Sequence, residues 1–208
     1  MPLAFSLLFC LSPAVIFAAQ KSDCVECHRK VTPGIVQQHL QGKMAKAGVD
    51  CSACHGSEHK KADDSKLARL PTPGTCAGCH KKQADQFKSG KHIGRNDMNS
   101  PESMRYGNAQ CDACHSRHLF SKLEAQNPNV CRACHALQWE IWSTSRHGII
   151  WQIEGKWSKR VPACRTCHMP DGDHSVMVTP GKMVRTCTKC HGAGYVKKML
   201  DVECRMLN

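Results

Sequence analysis

One pentapeptide, Cys-x-x-Cys-His, occurs seven times in this chain of 208 residues, and nothing else in it restricts the fold so strongly. The first copy is Cys24-Val25-Glu26-Cys27-His28. The others carry Cys51, Cys54 and His55; Cys76, Cys79 and His80; Cys111, Cys114 and His115; Cys131, Cys134 and His135; Cys164, Cys167 and His168; and Cys187, Cys190 and His191. Two thiols three positions apart can form thioethers to the two vinyl groups on one porphyrin edge, and the next histidine then reaches the iron as proximal ligand. Zinc ribbons also use paired cysteines, and exported proteins carry disulfide frameworks, but neither asks for histidine after every second cysteine. With histidine at 13 of 208 positions, seven such coincidences have a chance of roughly 10⁻⁹, so the pattern reads as seven covalently attached haem c groups and their irons.

The composition fits a core made by something other than side chains. Hydrophobic residues are 41% of the chain, cysteines included, and only eleven residues are aromatic. A domain of this length normally buries well over half of its unfolded surface against apolar side chains. Successive motifs begin 27, 25, 35, 20, 33 and 23 residues apart, too little polypeptide to wrap each haem in a pocket of its own. The expected fold is therefore mainly α with much coil, compact, and organised around a chain of closely packed haems. The balance of 29 basic and 17 acidic residues, +12 overall, would alone suggest a polyanion partner. Seven haems bring two propionates each, so the surplus reads as internal compensation and the chain is not expected to bind nucleic acid.

Six histidines remain outside the motifs: His39, His59, His92, His118, His147 and His174. They nearly match the number of irons and read as distal ligands. His59 follows His55 by four positions and His118 follows His115 by three. On a helix such pairs project from one face about 5–6 Å apart, so the second histidine cannot reach the far side of the same porphyrin. Each is expected to ligate a neighbouring haem instead. The count is one short, and Met44, on an expected helix from Ile35 to Ala47, is the candidate for the seventh distal position. Its other reading is a packing residue, since methionine fills gaps.

Residues 1–19 carry no charge and contain a short apolar run, which reads as a secretory signal followed by one domain over residues 20–208. The chain is thus expected to be exported to the periplasm or beyond, and a retained leader would associate it with a membrane. Further helices are expected from Lys81 to Lys91, Leu137 to Arg146 and Tyr195 to Met206. Turns are expected at Pro71-Thr72-Pro73-Gly74 and Thr179-Pro180-Gly181, with a long loop from Arg95 to Gln110.

The chain resembles the hydroxylamine oxidoreductase family of multihaem c-type cytochromes. The segments that carry the resemblance are Val31-Thr32-Pro33-Gly34-Ile35-Val36, Cys54-His55-Gly56-Ser57-Glu58-His59 and Cys114-His115-Ser116-Arg117-His118-Leu119-Phe120-Ser121. Two more lie further on, Gln138-Trp139-Glu140-Ile141-Trp142-Ser143-Thr144-Ser145-Arg146-His147-Gly148 and Cys167-His168-Met169-Pro170-Asp171-Gly172-Asp173-His174. The resemblance implies distal ligation by His59, His118, His147 and His174, and makes His39 and His92 further candidates. It also sets histidine in many relatives where Met44 stands.

Three departures bear on activity. The family's catalytic haem motif, expected between His80 and Cys111, is absent. His135 runs into Ala136-Leu137-Gln138 where the family has an Asp-His pair, and the sequence stops 17 residues after His191. The resemblance therefore implies an electron relay without a catalytic residue set, working with redox partners such as a quinol-linked dehydrogenase, other cytochromes or a terminal reductase. The alternatives are a small hydroxylamine- or nitrite-type oxidoreductase acting at one open haem, and a subunit that holds haems for a larger complex.

Overall fold

The protein is described here from a computed structural model covering residues 22–92, 111–155 and 161–206. The expected leader and the expected loop at 95–110 lie outside the described residues. Those described form helices joined by turns and coil, with no strand among them, and no described helix is long and apolar enough to cross a membrane.

The first motif lies within α1 (Asp23–Val31). The tripeptide Thr-Pro-Gly then appears three times along the chain, and each copy starts a helix: α2 (Pro33–Gln41), α5 (Pro73–Ala77) and α13 (Pro180–Cys187). Proline at the first helical position has its φ already set, and the N–H it lacks would have had no partner there. Thr179 adds a cap, its hydroxyl accepting from the Lys182 amide at 3.3 Å. The second and third copies are thus helix starts where the sequence reading has turns.

Other helices break earlier than their apolar pattern suggests. Gly42 (φ −69°, ψ 160°) divides the expected 35–47 helix into α2 and α3 (Lys43–Lys46). A Cβ at Gly42 would stand 2.8 Å from the Leu119 carbonyl oxygen and 3.2 Å from that of His118, so only glycine lets these segments approach. The motif helix α4 (Ser52–His55) precedes a 3₁₀ turn at Ala62–Leu67. Helix α6 (Lys81–Lys88) stops three residues short of its expected end.

From residue 111 onward lie α7 (Cys111–His115), α8 (Lys122–Ala125) and α9 (Asn129–Arg132). Helix α10 (Ala136–Thr144) ends before Arg146, because extended Ser145 reverses the chain and caps α11 (Arg146–Glu154) through the Gly148 amide. The resulting hairpin is pinned by Trp139, Trp142 and Trp151, whose ring centroids lie 5.4–6.0 Å apart. Helix α12 (Cys164–His168), α13 and α14 (Ala193–Met206) complete the described chain.

Side chains alone make little core. Among the described residues, the buried apolar ones are Val25, Val36, Ala84, Val161 and Val196, while Leu70 is 86% and Ile153 78% exposed. Five small side chains cannot supply the apolar burial that a domain of this size needs. The motif cysteines are half-buried or exposed.

Candidate haem-binding site

Five histidine pairs define the interior. His28 faces His59 with ring centroids 5.9 Å apart, His55 faces His118 at 6.2 Å, and His115 faces His174 at 6.1 Å. His135 faces His92 at 6.2 Å and His191 faces His147 at 6.0 Å. Each pair joins one motif histidine to one from outside the motifs. The separation is longer than ring contact and nearly constant. Two imidazole nitrogens each about 2.0 Å from a shared metal would put the ring centroids about 6 Å apart. The pairs therefore have the spacing of axial ligands on opposite sides of one iron.

No motif histidine faces the histidine that follows it in sequence, although the helical premise for that expectation does not hold. Gly56 (φ 77°) ends α4 before His59 is reached, which turns His59 towards His28. Beyond α7, Ser116, His118 and Phe120 all have left-handed backbone, with φ of 58°, 63° and 46°. Such a conformation costs about 1–3 kcal/mol per residue and persists only where its surroundings impose it. Here it swings His118 away from His115 and onto His55.

Hydrogen bonds select the ring nitrogen left for a metal. The Nδ1 atoms of His55 and His174 donate to the carbonyls of Arg69 and Gly172, both at 2.8 Å. His28 Nδ1 pairs with the Thr32 hydroxyl at 2.9 Å, and His59 Nδ1 donates to the Asp64 carboxylate at 2.7 Å. With Nδ1 engaged, Nε2 keeps its lone pair, which is how neighbouring groups fix the tautomer of a ligating imidazole. Asp64 is not evident in the sequence, since its separation of five from His59 matches no helical face. Its carboxyl is held below the usual carboxylate range, most strongly by the Lys61 amide and also by His59. Burial, then the facing ring, lowers the pKa of His118 and His147, as it does for His115 beside His174 and His80.

Three candidate imidazoles have no facing ring among the described residues: His39, His80 and His168. His39 Nε2 is buried and without a hydrogen-bond partner. An unpaired buried nitrogen costs stability, so it calls for a ligand. Met44 is half-buried on α3, just past the close contact of Gly42 with the His118 segment.

The motif cysteines follow one another in single file. None of the fourteen is in a disulfide. Cys51 lies near Cys24 and Asp50. Cys54 lies near Cys76 and Cys79, Cys76 near Cys111, and Cys114 near Cys134. Cys131 lies near Cys164, and Cys167 near Cys187. Each motif thus adjoins the next, from the first to the seventh. Paired thiols, paired imidazoles and an interior short of side chains fit a haem c group at each motif.

Comparison with known proteins agrees with this chemistry. Residues 43–136 match the family model for cytochrome c3, and residues 11–56 that for cytochrome c554 and c-prime. A probable nitrite reductase-hydroxylamine oxidoreductase fusion protein of Kuenenia stuttgartiensis is 30% identical over 73% of this chain and 26% of its own length. The multiheme cytochrome MtrA of Shewanella baltica is 24% identical, over 81% of this chain and 52% of the relative. A thiosulfate dehydrogenase electron acceptor of Stutzerimonas stutzeri is 26% identical, over 64% and 56%. In structure, the chain is similar to a reducing HAO-like protein complex of Kuenenia stuttgartiensis, with TM-score 0.60 and 22% identity, over 86% of this chain and 56% of the other. It thus spans about a quarter of the first relative and about half of the others.

Motifs, fold and matches together define a multihaem cytochrome c with covalently bound haem c. Within that class the chain is hydroxylamine oxidoreductase-like, by its similarity to the Kuenenia fusion protein in sequence and to the HAO-like complex in fold.

Proposed function

We propose that the chain relays electrons through seven haem c groups in a row, one on each Cys-x-x-Cys-His motif. The observation that carries this reading is the single file of motif thiols, in which each motif adjoins its successor. Haem c supplies a one-electron ferric/ferrous couple. The protein's part is to attach, ligate and space the groups. His28 and His59, His55 and His118, His115 and His174, His135 and His92, and His191 and His147 are the axial pairs in this reading. His39 and Met44 complete the irons of His80 and His168. Every distal histidine then comes from a segment outside its partner's motif, so ligation itself ties one motif to another, in four of the five pairs the next but one in the row.

The lack of a motif between His80 and Cys111, and of an Asp-His pair after His135, supports relay over catalysis. So do the names of two relatives, a multihaem cytochrome and an electron acceptor. The function belongs in the periplasm or another exported compartment, within a complex of redox partners. The test is a pyridine haemochrome assay with intact-mass measurement on the matured protein, followed by steady-state assays with hydroxylamine and nitrite. Seven haems per chain with negligible turnover are expected. A markedly lower stoichiometry, or rapid turnover, would overturn the reading.

A second reading, an oxidoreductase with one open iron, is favoured by one observation. His168 has no facing ring among the described residues, and the two spare candidates, His39 and Met44, flank Gly42 beside the segment of His118, which faces the second motif. In that case the iron of His168 would bind small ligands in the untreated protein.

A further inference from the structure

The Asp64 carboxylate gathers three donors. His59 Nδ1 lies 2.7 Å from Oδ1, the Lys61 amide donates to the same oxygen at 3.0 Å, and the Lys60 amide reaches both oxygens at 3.0 and 3.2 Å. The side chains of His59 and Asp64 are only 25% and 20% exposed. The 3₁₀ turn at Ala62–Leu67 sets this geometry, and Asp64 itself has non-helical backbone there (φ −105°, ψ 17°). The neighbouring imidazoles are treated differently. His55 and His174 donate to backbone carbonyls, and His28 meets a hydroxyl.

An acceptor on the outer nitrogen changes what the inner nitrogen offers a metal. A carboxylate draws the Nδ1 proton more strongly than a carbonyl dipole does, which makes the ring a stronger electron donor through Nε2. A stronger axial donor, with a negative charge close by, favours the ferric state and lowers the potential. Lys60 and Lys61 carry the opposite charge, but both side chains are exposed, so solvent screens them while the carboxylate acts through the hydrogen bond itself.

We propose that Asp64 is a positioning residue that sets the haem of Cys24 and Cys27 at a lower potential than the haems of His55 and His115. The proposal rests on the axial reading of His28 and His59. The first motif adjoins the second, so an electron on its haem moves downhill towards the haem of His55.

The experiment is a potentiometric titration of the haem-loaded full chain, followed by absorption and electron paramagnetic resonance, for wild type, D64N, D64E and H59A. In D64N one low-spin component should move upward by at least tenfold in its ferric/ferrous equilibrium, about 59 mV for a one-electron couple. D64E should restore it, and the component that moves should be the one turned high-spin in H59A. An unshifted titration in D64N would overturn the proposal while leaving the ligand assignment standing. A high-spin haem in D64N would overturn it too, since Asp64 would then be needed for ligation itself and would not set the potential of a ligated haem. An unchanged spectrum in H59A would instead overturn the axial reading beneath it.

Discussion

The Lys91 amide donates a hydrogen bond to the Ser175 carbonyl at 3.1 Å, joining the segment that carries His92 to the one that carries His174. The same junction brings Gly90 against the Ser175 backbone, and the His174 amide donates to the Gln86 side chain at 3.2 Å. One crossing thus orients two rings, since His92 faces His135 and His174 faces His115. The Asp173–Lys182 ion pair, at 2.5 Å, anchors the far side of the crossing to α13.

Gly90 is therefore a packing requirement of the site. A Cβ there would meet the backbone of Ser175, which cannot rotate away as a side chain could. Replacing Gly90 by Ala should destabilise the haem-loaded protein by about 1–3 kcal/mol, the usual cost of forcing extra volume into a closed contact. Denaturant unfolding measures the loss. The ferric spectrum should change at the haems of His115 and His135 together, and a change at neither would show that the crossing does not position their partners.

His118 offers a sharper test of cross-ligation. Its left-handed backbone aims it at His55, whose motif lies far away in sequence, and not at His115 three residues before it. H118A should convert one low-spin haem to high spin without loss of covalent attachment. The affected component should be the one altered in H55M, and a variant of the Cys111–His115 motif should alter a different one. Low-spin spectra throughout in H118A would remove His118 from the ligand set.

The two levels of description divide unevenly. The attachment cysteines stand out in the sequence because a covalent spacing is local. The facing partners do not, because they depend on reversals at Gly56 and at Ser116, His118 and Phe120 that no periodicity records. The argument that His59 and His118 should avoid their own haems assumed helices, and the structure reaches the same separation through left-handed turns. The repeated Thr-Pro-Gly reads equally well as a turn or a helix start until the residues after it are seen to coil. Asp64 was invisible because a carboxylate five residues from a histidine has no motif, only a 3₁₀ turn that folds it back.

The sparse side-chain core makes a prediction about the chain without its haems. Val25, Val36, Ala84, Val161 and Val196 are the buried apolar residues described, and they do not amount to a nucleus. Burial of apolar surface is the main force of folding, so the haem faces must provide most of it. Chain made without haem attachment should show little helix by circular dichroism and should be cut rapidly by protease. A cooperative unfolding transition in that material would mean that the polypeptide carries its own core.

Met44 decides between the closed and the open row. It stands on α3 two residues past Gly42, with His39 three residues before Gly42, so the two spare ligands share one corner of the fold. If both are used, every iron has six ligands. Thioether ligation favours the ferrous state, so the Met44 haem should have the highest potential in the set. Ferric wild-type protein should then take up no cyanide at neutral pH, whereas M44A should gain one binding site per chain and lose its highest-potential component. If Met44 only packs, cyanide should bind the wild type at one site per chain and M44A should behave identically. H39A supplies the control, because removing a histidine ligand should open one site in either case. Wild-type binding that M44A leaves unchanged would shift the function from relay to the oxidoreductase reading, with the iron of His168 as the place to look.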